Sequence, residues 1–188
     1  MKSLKVRFVG VRPLLMHNGQ LADPLNYYAK LSKEVSGKKK KTDSDFEKLS
    51  KIAWKGGLYL NKDEKIIMPS LVIEAAIKSQ AKTQKKGKEV DRGISVLEDV
   101  LMDLGKVDNK KSLDDMMNDE EHTLRTQVVV GRARIMRTRP KFDTWSFECE
   151  IRYEEGILNE AEILSFIENI YFCDWRPRYG LAHGKIIK

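Results

Sequence analysis

The chain has 188 residues, 41% of them hydrophobic and 34% charged, so one core is expected beneath a strongly ionic surface. Thirty-five Lys and Arg against 28 Asp and Glu leave a net charge of +7, a balance that favours polyanionic partners. No run of about 18 apolar residues occurs, which argues against a membrane span. The opening Met1-Lys2-Ser3-Leu4-Lys5-Val6-Arg7 puts charges where a signal peptide needs an apolar stretch, so a cytoplasmic protein is expected.

Residues 3–9 alternate, with Leu4, Val6 and Phe8 on one face and Lys5 and Arg7 on the other, as a half-buried strand does. His17-Asn18-Gly19-Gln20 then reads as a turn. A helix is predicted over 24–34, with Pro24 at its first position. Ser44 and Glu47 form a capping box for a second helix, which runs to about Lys55 and is stopped by Gly56-Gly57. Residues 58–60 and 65–68 read as the arms of a short hairpin. Pro69 and Ser70 open a helix to about Gln84, small-sided through Ala75, Ala76, Ser79 and Ala81.

Residues 94–97 read as a strand, and 112–121 as a short acidic helix or loop. Residues 124–139 are the longest expected strand. Val128, Val130, Arg132 and Arg134 share one parity there, while Arg137 and Arg139 have the other unless a bulge or the strand end re-aims them. In 145–153, Trp145, Phe147, Cys149, Ile151 and Tyr153 point inward and Ser146, Glu148, Glu150 and Arg152 outward. Asn159 with Glu162 caps a helix whose apolar face is Ile163, Leu164, Ile167, Ile170 and Tyr171. Residues 185–187 close the chain as a strand. With an insertion at about 20–65 set aside, the order is β-α-β-β-α-β in one domain, 1–188. That is the α+β, ferredoxin-like (RRM-like) pattern, an antiparallel sheet with helices on one face.

Charge is unevenly spread. Residues 124–141 hold five Arg, one Lys and no acid, a +6 block. Residues 98–121 and 142–168 on either side carry net −6 and −7. Lys82, Lys85 and Lys86 belong to a second basic run after the 70–84 helix, and residues 38–41 are four lysines in a loop. Near the C-terminus, Trp175, Arg176, Arg178 and Tyr179 interleave aromatics with guanidinium groups, the mixture that single-strand sites use to stack bases and hold phosphates. Trp175 and Tyr179 also fit a packing role. No phosphate-loop, dinucleotide or serine-elbow motif is present. His17, His122 and His183 lie apart in sequence, so no metal or other cofactor is expected. Cys149 and Cys173 sit in apolar patterns and read as buried thiols. His17, in its polar turn, is the one candidate acid or base.

Three tracts resemble, in order, the RAMP superfamily, the ferredoxin-like proteins of the Cas7-like type. They are Val11-Arg12-Pro13-Leu14-Leu15-Met16-His17-Asn18-Gly19, Ile66-Ile67-Met68-Pro69-Ser70 with the alanine-rich helix after it, and Arg176-Pro177-Arg178-Tyr179-Gly180. The chain is also similar over its length to short phage- or prophage-encoded proteins of this kind, in which tracts like Arg137 to Pro140 and Asp174 to Gly180 recur. The resemblance implies a bacterial host cell, non-enzymatic binding of single-stranded nucleic acid with DNA favoured over RNA, and self-assembly into a filament or ring during phage replication or recombination. The expected binding residues are Arg132, Arg134, Arg137, Arg139, Trp175, Arg176, Arg178, Tyr179, Lys82, Lys85 and Lys86. Two alternatives stay open: a Cas6-like, metal-independent RNA endonuclease using His17, and a mimic of a CRISPR subunit, or an assembly protein, that binds protein partners.

Overall fold

Leu4, Val6 and Phe8 are buried while Lys5 and Arg7 are exposed, so the alternation at the start of the chain becomes a strand with one dry face. The computed structural model describes residues 1–172 and 178–187. Its strands are β1 (Lys2–Gly10), β2 (Leu14–Leu15), β3 (Ile67–Met68), β4 (Ile94–Val96), β5 (Val100–Leu101), β6 (Thr123–Val130), β7 (Ala133–Phe142), β8 (Ser146–Tyr153), β9 (Ile170–Tyr171) and β10 (Leu181–Ile186). Its helices are α1 (Tyr27–Ser36), α2 (Asp43–Gly57), α3 (Ser70–Thr83), α4 (Gly87–Gly93), α5 (Leu113–Asn118) and α6 (Glu160–Ile167). The fold is α+β with antiparallel sheets. No described helix is long and apolar enough to cross a membrane.

The chain forms two compact units, one of Met1–Leu14, Leu60–Asn109 and Asp143–Lys188, the other of Leu15–Tyr59 and Lys110–Phe142. The insertion expected at about 20–65 lies mostly in the second unit, where residues 110–142 join it.

The first unit is built on a five-stranded sheet in the order β4-β8-β1-β10-β9. Register pairs Leu4 with Ile151, Val6 with Cys149 and Phe8 with both Phe147 and Gly184, which puts these side chains on one face. Helices α3 and α6 pack against each other and against strands of this sheet. At Gly184 the approach is close: a Cβ there would lie 2.8 Å from the Ile167 side chain and backbone oxygen. Phe8, Phe147, Phe172 and Trp145 form an aromatic cluster with centroid separations of 5.0 Å (Phe8–Phe147) and 5.7 Å (Trp145–Phe172). Burial pushes the Cys149 thiol up to about 12, so it is an inert core group. Cys173 lies outside the described residues.

The second unit carries α1, α2, α5, the hairpin of β6 and β7, and Leu15 of β2; the sheet order is β2-β7-β6. Several expected boundaries move here, each for a local reason. Asn26, not Pro24, opens α1: its side chain accepts from the Tyr28 N–H at 2.9 Å, and Asp23 holds the preceding turn by accepting from the Leu25 N–H. Thr42 with Asp45, not Ser44 with Glu47, forms the capping box of α2, and Lys38 pairs with the same carboxylate. Gly56 and Gly57 do not stop that helix but form its last turn. A Cβ on Gly56 would lie 2.5 Å from Leu21, and one on Gly57 3.0 Å from Pro140, so the glycines serve close packing.

Elsewhere, residues 58–68 form one isolated bridge, Leu60 with Ile66, and β3 pairs instead with β5. Ile170 and Tyr171 leave the expected α6 helix and form β9 beside β10. The closing strand is longer than expected, beginning at Leu181. The expected single strand over 124–139 is a hairpin of β6 and β7, with Val130 opposite Ala133 across a two-residue turn at Gly131-Arg132. Gly131 adopts φ +62°, the left-handed conformation that such turns place on glycine.

Gly10 tests the core of the first unit. An added Cβ would overlap the Trp145 indole, which is held by its N–H donating to the Arg12 carbonyl at 2.8 Å. Gly10→Ala should lower unfolding free energy by about 1–3 kcal/mol. Gly19→Ala, with nothing within 4 Å of its Cβ, is the control and should unfold like wild type in urea. Equal midpoints for the two variants would show that the indole moves aside freely.

Candidate nucleic-acid interface

The hairpin is anchored at its root and open towards its tip. At the root, Trp54 of α2 is 1% exposed and its indole N–H donates to the His122 carbonyl at 2.8 Å, just before β6 begins. The Ser50 and Thr138 hydroxyls bond at 2.8 Å, and the Met16 N–H donates to the Pro140 carbonyl at 3.1 Å. His122 packs edge-on to Phe142 and bonds Asp119 at 3.1 Å. The Lys111 ammonium, followed by the Glu121 N–H and His122, holds the Asp119 carboxyl down at about 2.

Cross-strand register sorts the arginines by face. Arg125 lies opposite Thr138, and Arg134 opposite Val129, so these two share the face on which α2 meets Thr138 and Pro140. Arg137 lies opposite Thr126 and Arg139 opposite Leu124, on the other face. That face also carries Val128 and Ile135, both half-buried. Arg132 is in the turn, not on the face of Arg134 as an unbroken strand would have it. The ladder from Ala133 to Pro140 runs without a bulge, so nothing re-aims Arg137 and Arg139.

Arg125, Arg132, Arg134 and Arg137 are exposed, and among the described residues none is within ion-pair distance of a carboxylate. Arg139 is half-buried and donates to the Thr138 carbonyl at 3.2 Å. Burial first, then the like charge of Arg137, lowers its pKa. Five guanidinium groups thus share one hairpin with no described acid paired to them, an arrangement that an external anion would relieve. Arg125 was not among the expected site residues, although the acid-free 124–141 block contains it.

His17 follows β2, exposed, with its carbonyl accepting from the Tyr59 hydroxyl at 3.1 Å. Its Nε2 lies 3.4 Å from Arg139, and since a guanidinium only donates, the imidazole nitrogen is the acceptor of this long contact. Among the described residues no group of His, Cys, Asp and Glu is placed to hold a metal ion.

The remaining expected residues belong to the other unit. Lys86 is engaged with Glu162 at 2.8 Å. Lys82 and Lys85 are exposed with no carboxylate partner among the described residues, Lys85 at φ +60° just after α3. Arg178 is exposed and Tyr179 half-buried, beside Gly180, whose N–H donates to the Pro13 carbonyl at 2.7 Å. Trp175 and Arg176 lie outside the described residues. Compared with known proteins, the chain matches no family model and no curated sequence.

The root of the hairpin has a pH signature. An Asp held at about 2 contributes stability that is fully present above its unfolded pKa of about 3.9 and is lost as pH falls through about 2. Asp119→Asn should therefore unfold at lower urea concentration than wild type at pH 7, and the difference should shrink towards pH 2. Coincident midpoints at pH 7 would remove Asp119 from the anchor.

Proposed function

We propose that this chain binds single-stranded nucleic acid, without catalysis and with little regard to base sequence, DNA ahead of RNA. The supporting observation is the β6–β7 hairpin: five arginines, an anchored root, and no described carboxylate paired to them. Phosphate contacts of this kind carry affinity but no sequence information. The hairpin's one aromatic residue, Phe142, is buried at its root, so stacking is assigned to the loop before β10, where Tyr179 and Arg178 sit. Support for a ferredoxin-like, RAMP-type reading comes from the order of the main elements in the first unit, β1, α3, β4, β8, α6 and β10, which is β-α-β-β-α-β. The preference for DNA and a setting in phage replication or recombination rest on the sequence resemblance. So does assembly along the strand, in which the +6 block of one copy would meet the −7 block of the next.

Binding to mixed-sequence single-stranded oligonucleotides should weaken steeply with salt, each neutralised phosphate adding about −0.7 to the slope of log affinity against log salt. Arg137→Ala and Arg139→Ala should each reduce that slope by about one such share. Lys86→Ala, which removes a group already paired with Glu162, should leave it nearly unchanged. A flat salt response in wild type would end the proposal. Metal-independent cleavage of an RNA hairpin that disappears in His17→Ala would replace it with an endonuclease.

Assembly is read separately, by light scattering. With a long oligonucleotide bound, particles holding more than two copies of the 21.7 kDa chain are expected. A single copy per bound oligonucleotide at saturation would rule assembly out.

A further inference from the structure

Strand β6 is the terminal strand of its sheet, paired to β7 on one side and to no other described strand. Its eight residues, Thr-Leu-Arg-Thr-Gln-Val-Val-Val, leave an edge about 27 Å long. Such edges are ordinarily blunted by proline, lysine, a bulge or extreme shortness. Here there is no proline or lysine, the register to β7 is unbroken, and Arg125 is the strand's one charge. Val129 is 69% exposed and Met136, diagonal to it on the same face of the hairpin, 53%. The charges lie just beyond the two ends and are opposite in sign. Glu120 and Glu121 precede the strand, both exposed, and Arg132 follows it.

We infer that β6 pairs antiparallel with β6 of a second copy of this chain, forming a two-fold symmetric dimer. The order of charges selects the occupant and the direction. An antiparallel pair sets the acidic end of one strand beside the arginine end of its twin, at both ends of the contact, whereas a parallel pair would set like against like. Strand β6 exposes outward backbone groups at alternate residues, so the two copies must meet in a register centred on a residue, here Thr126 or Gln127. With the axis at Thr126, Arg132 of one copy falls level with Glu120 of the other. Arg125 never faces itself in either register. The two-fold axis stands perpendicular to the sheet, so Arg137 and Arg139 of both copies lie on the same side of a six-stranded sheet. The contact closes after two copies and is distinct from the head-to-tail contact suggested for assembly along a strand, to which a dimer could supply the repeating unit. It does not depend on nucleic-acid binding.

The test uses nuclease-treated full-length protein, free of nucleic acid, in sedimentation equilibrium at low salt. Wild type should sediment as a dimer of the 21.7 kDa chain. Arg132→Glu should weaken dimerisation at least tenfold, as should the double variant Glu120→Arg, Glu121→Arg. An equimolar mixture of the two variants should regain wild-type affinity as a heterodimer, because each reversed end then meets its complement. Cysteine placed at Thr126 or Gln127, in a Cys173→Ser background, should cross-link two copies under mild oxidation at the residue on the axis. Opposed Cα atoms in an antiparallel ladder lie about 4.5–5.5 Å apart, within disulfide reach. A monomeric wild type at high concentration would overturn the inference. So would a dimer indifferent to both charge reversals, or a mixture that fails to recover while each variant remains folded by circular dichroism.

Discussion

The second unit depends on how α2 seats the root of the β6–β7 hairpin. Trp54 brings a large apolar side chain with one N–H that must be satisfied once buried, and the His122 carbonyl satisfies it. Gly57 lets the end of α2 approach Pro140 at a distance a larger residue would not allow, and Ser50 meets Thr138 between them. Positions 138 and 140 of β7 are therefore spent on packing. Positions 134 and 136 share their face but are exposed, as is 137 on the opposite face. Arginine occurs at 134, 137 and 139, none of them a fully buried position. The distribution of charge along β7 is the complement of the surface that α2 covers.

That arrangement differs from the way the first unit handles charge. On the open face of its sheet, register places Lys5 opposite Glu150 and Arg7 opposite Glu148. Arg7 and Glu148 lie 3.7 Å apart, and Arg152 and Glu150 3.4 Å apart. These are neutralising pairs on a solvated face, each of small energetic consequence. A net charge of +7 hides this contrast, because it sums one surface that is internally balanced with a hairpin that is not. Concentrating like charges costs folding free energy through self-repulsion, and the lowered pKa of Arg139 beside Arg137 has that repulsion as one of its causes. The anchored root supplies the rigidity against which such a cost is sustained.

The parts of the fold that were legible in the sequence are those where one local rule acts alone. Strict alternation placed β1 and β8, and the Asn159–Glu162 box opened α6 where expected. The misplaced boundaries are those where two rules compete. Ser44-x-x-Glu47 and Thr42-x-x-Asp45 are both plausible capping boxes, and the tie is broken by Lys38, which pairs with Asp45. Gly56-Gly57 looks like a helix stop until Leu21 and Pro140 come against it. The run from Val128 to Arg134 keeps an even alternation through Gly131, so a turn with glycine at its first position passed for mid-strand. At the candidate site, the grouping of the arginines was visible in composition, but their division between two faces was not. It follows from the location of the turn, and with it Arg125 enters the set.

The proposed phosphate contacts and the proposed pairing edge occupy different strands of one hairpin, and the chemistry of each strand suits its place in the sheet. Strand β7 pairs with β6 from Ala133 to Pro140 and has the two-residue β2 on its other side, so its side chains have fixed directions. Guanidinium groups held on such a strand lose less conformational freedom on meeting a phosphate than the same groups in a loop would. Strand β6 has an outer side whose backbone donors and acceptors need a partner or water. Its side chains are mostly neutral, and a charge-poor strand is what lets a second backbone approach. Moving the arginines of β7 onto β6 would set like charges against each other across any symmetric contact, and moving the valines of β6 onto β7 would strip the central strand of its anion-facing groups. The segregation of three valines to the edge strand and three arginines to the central one therefore keeps both uses of the hairpin compatible.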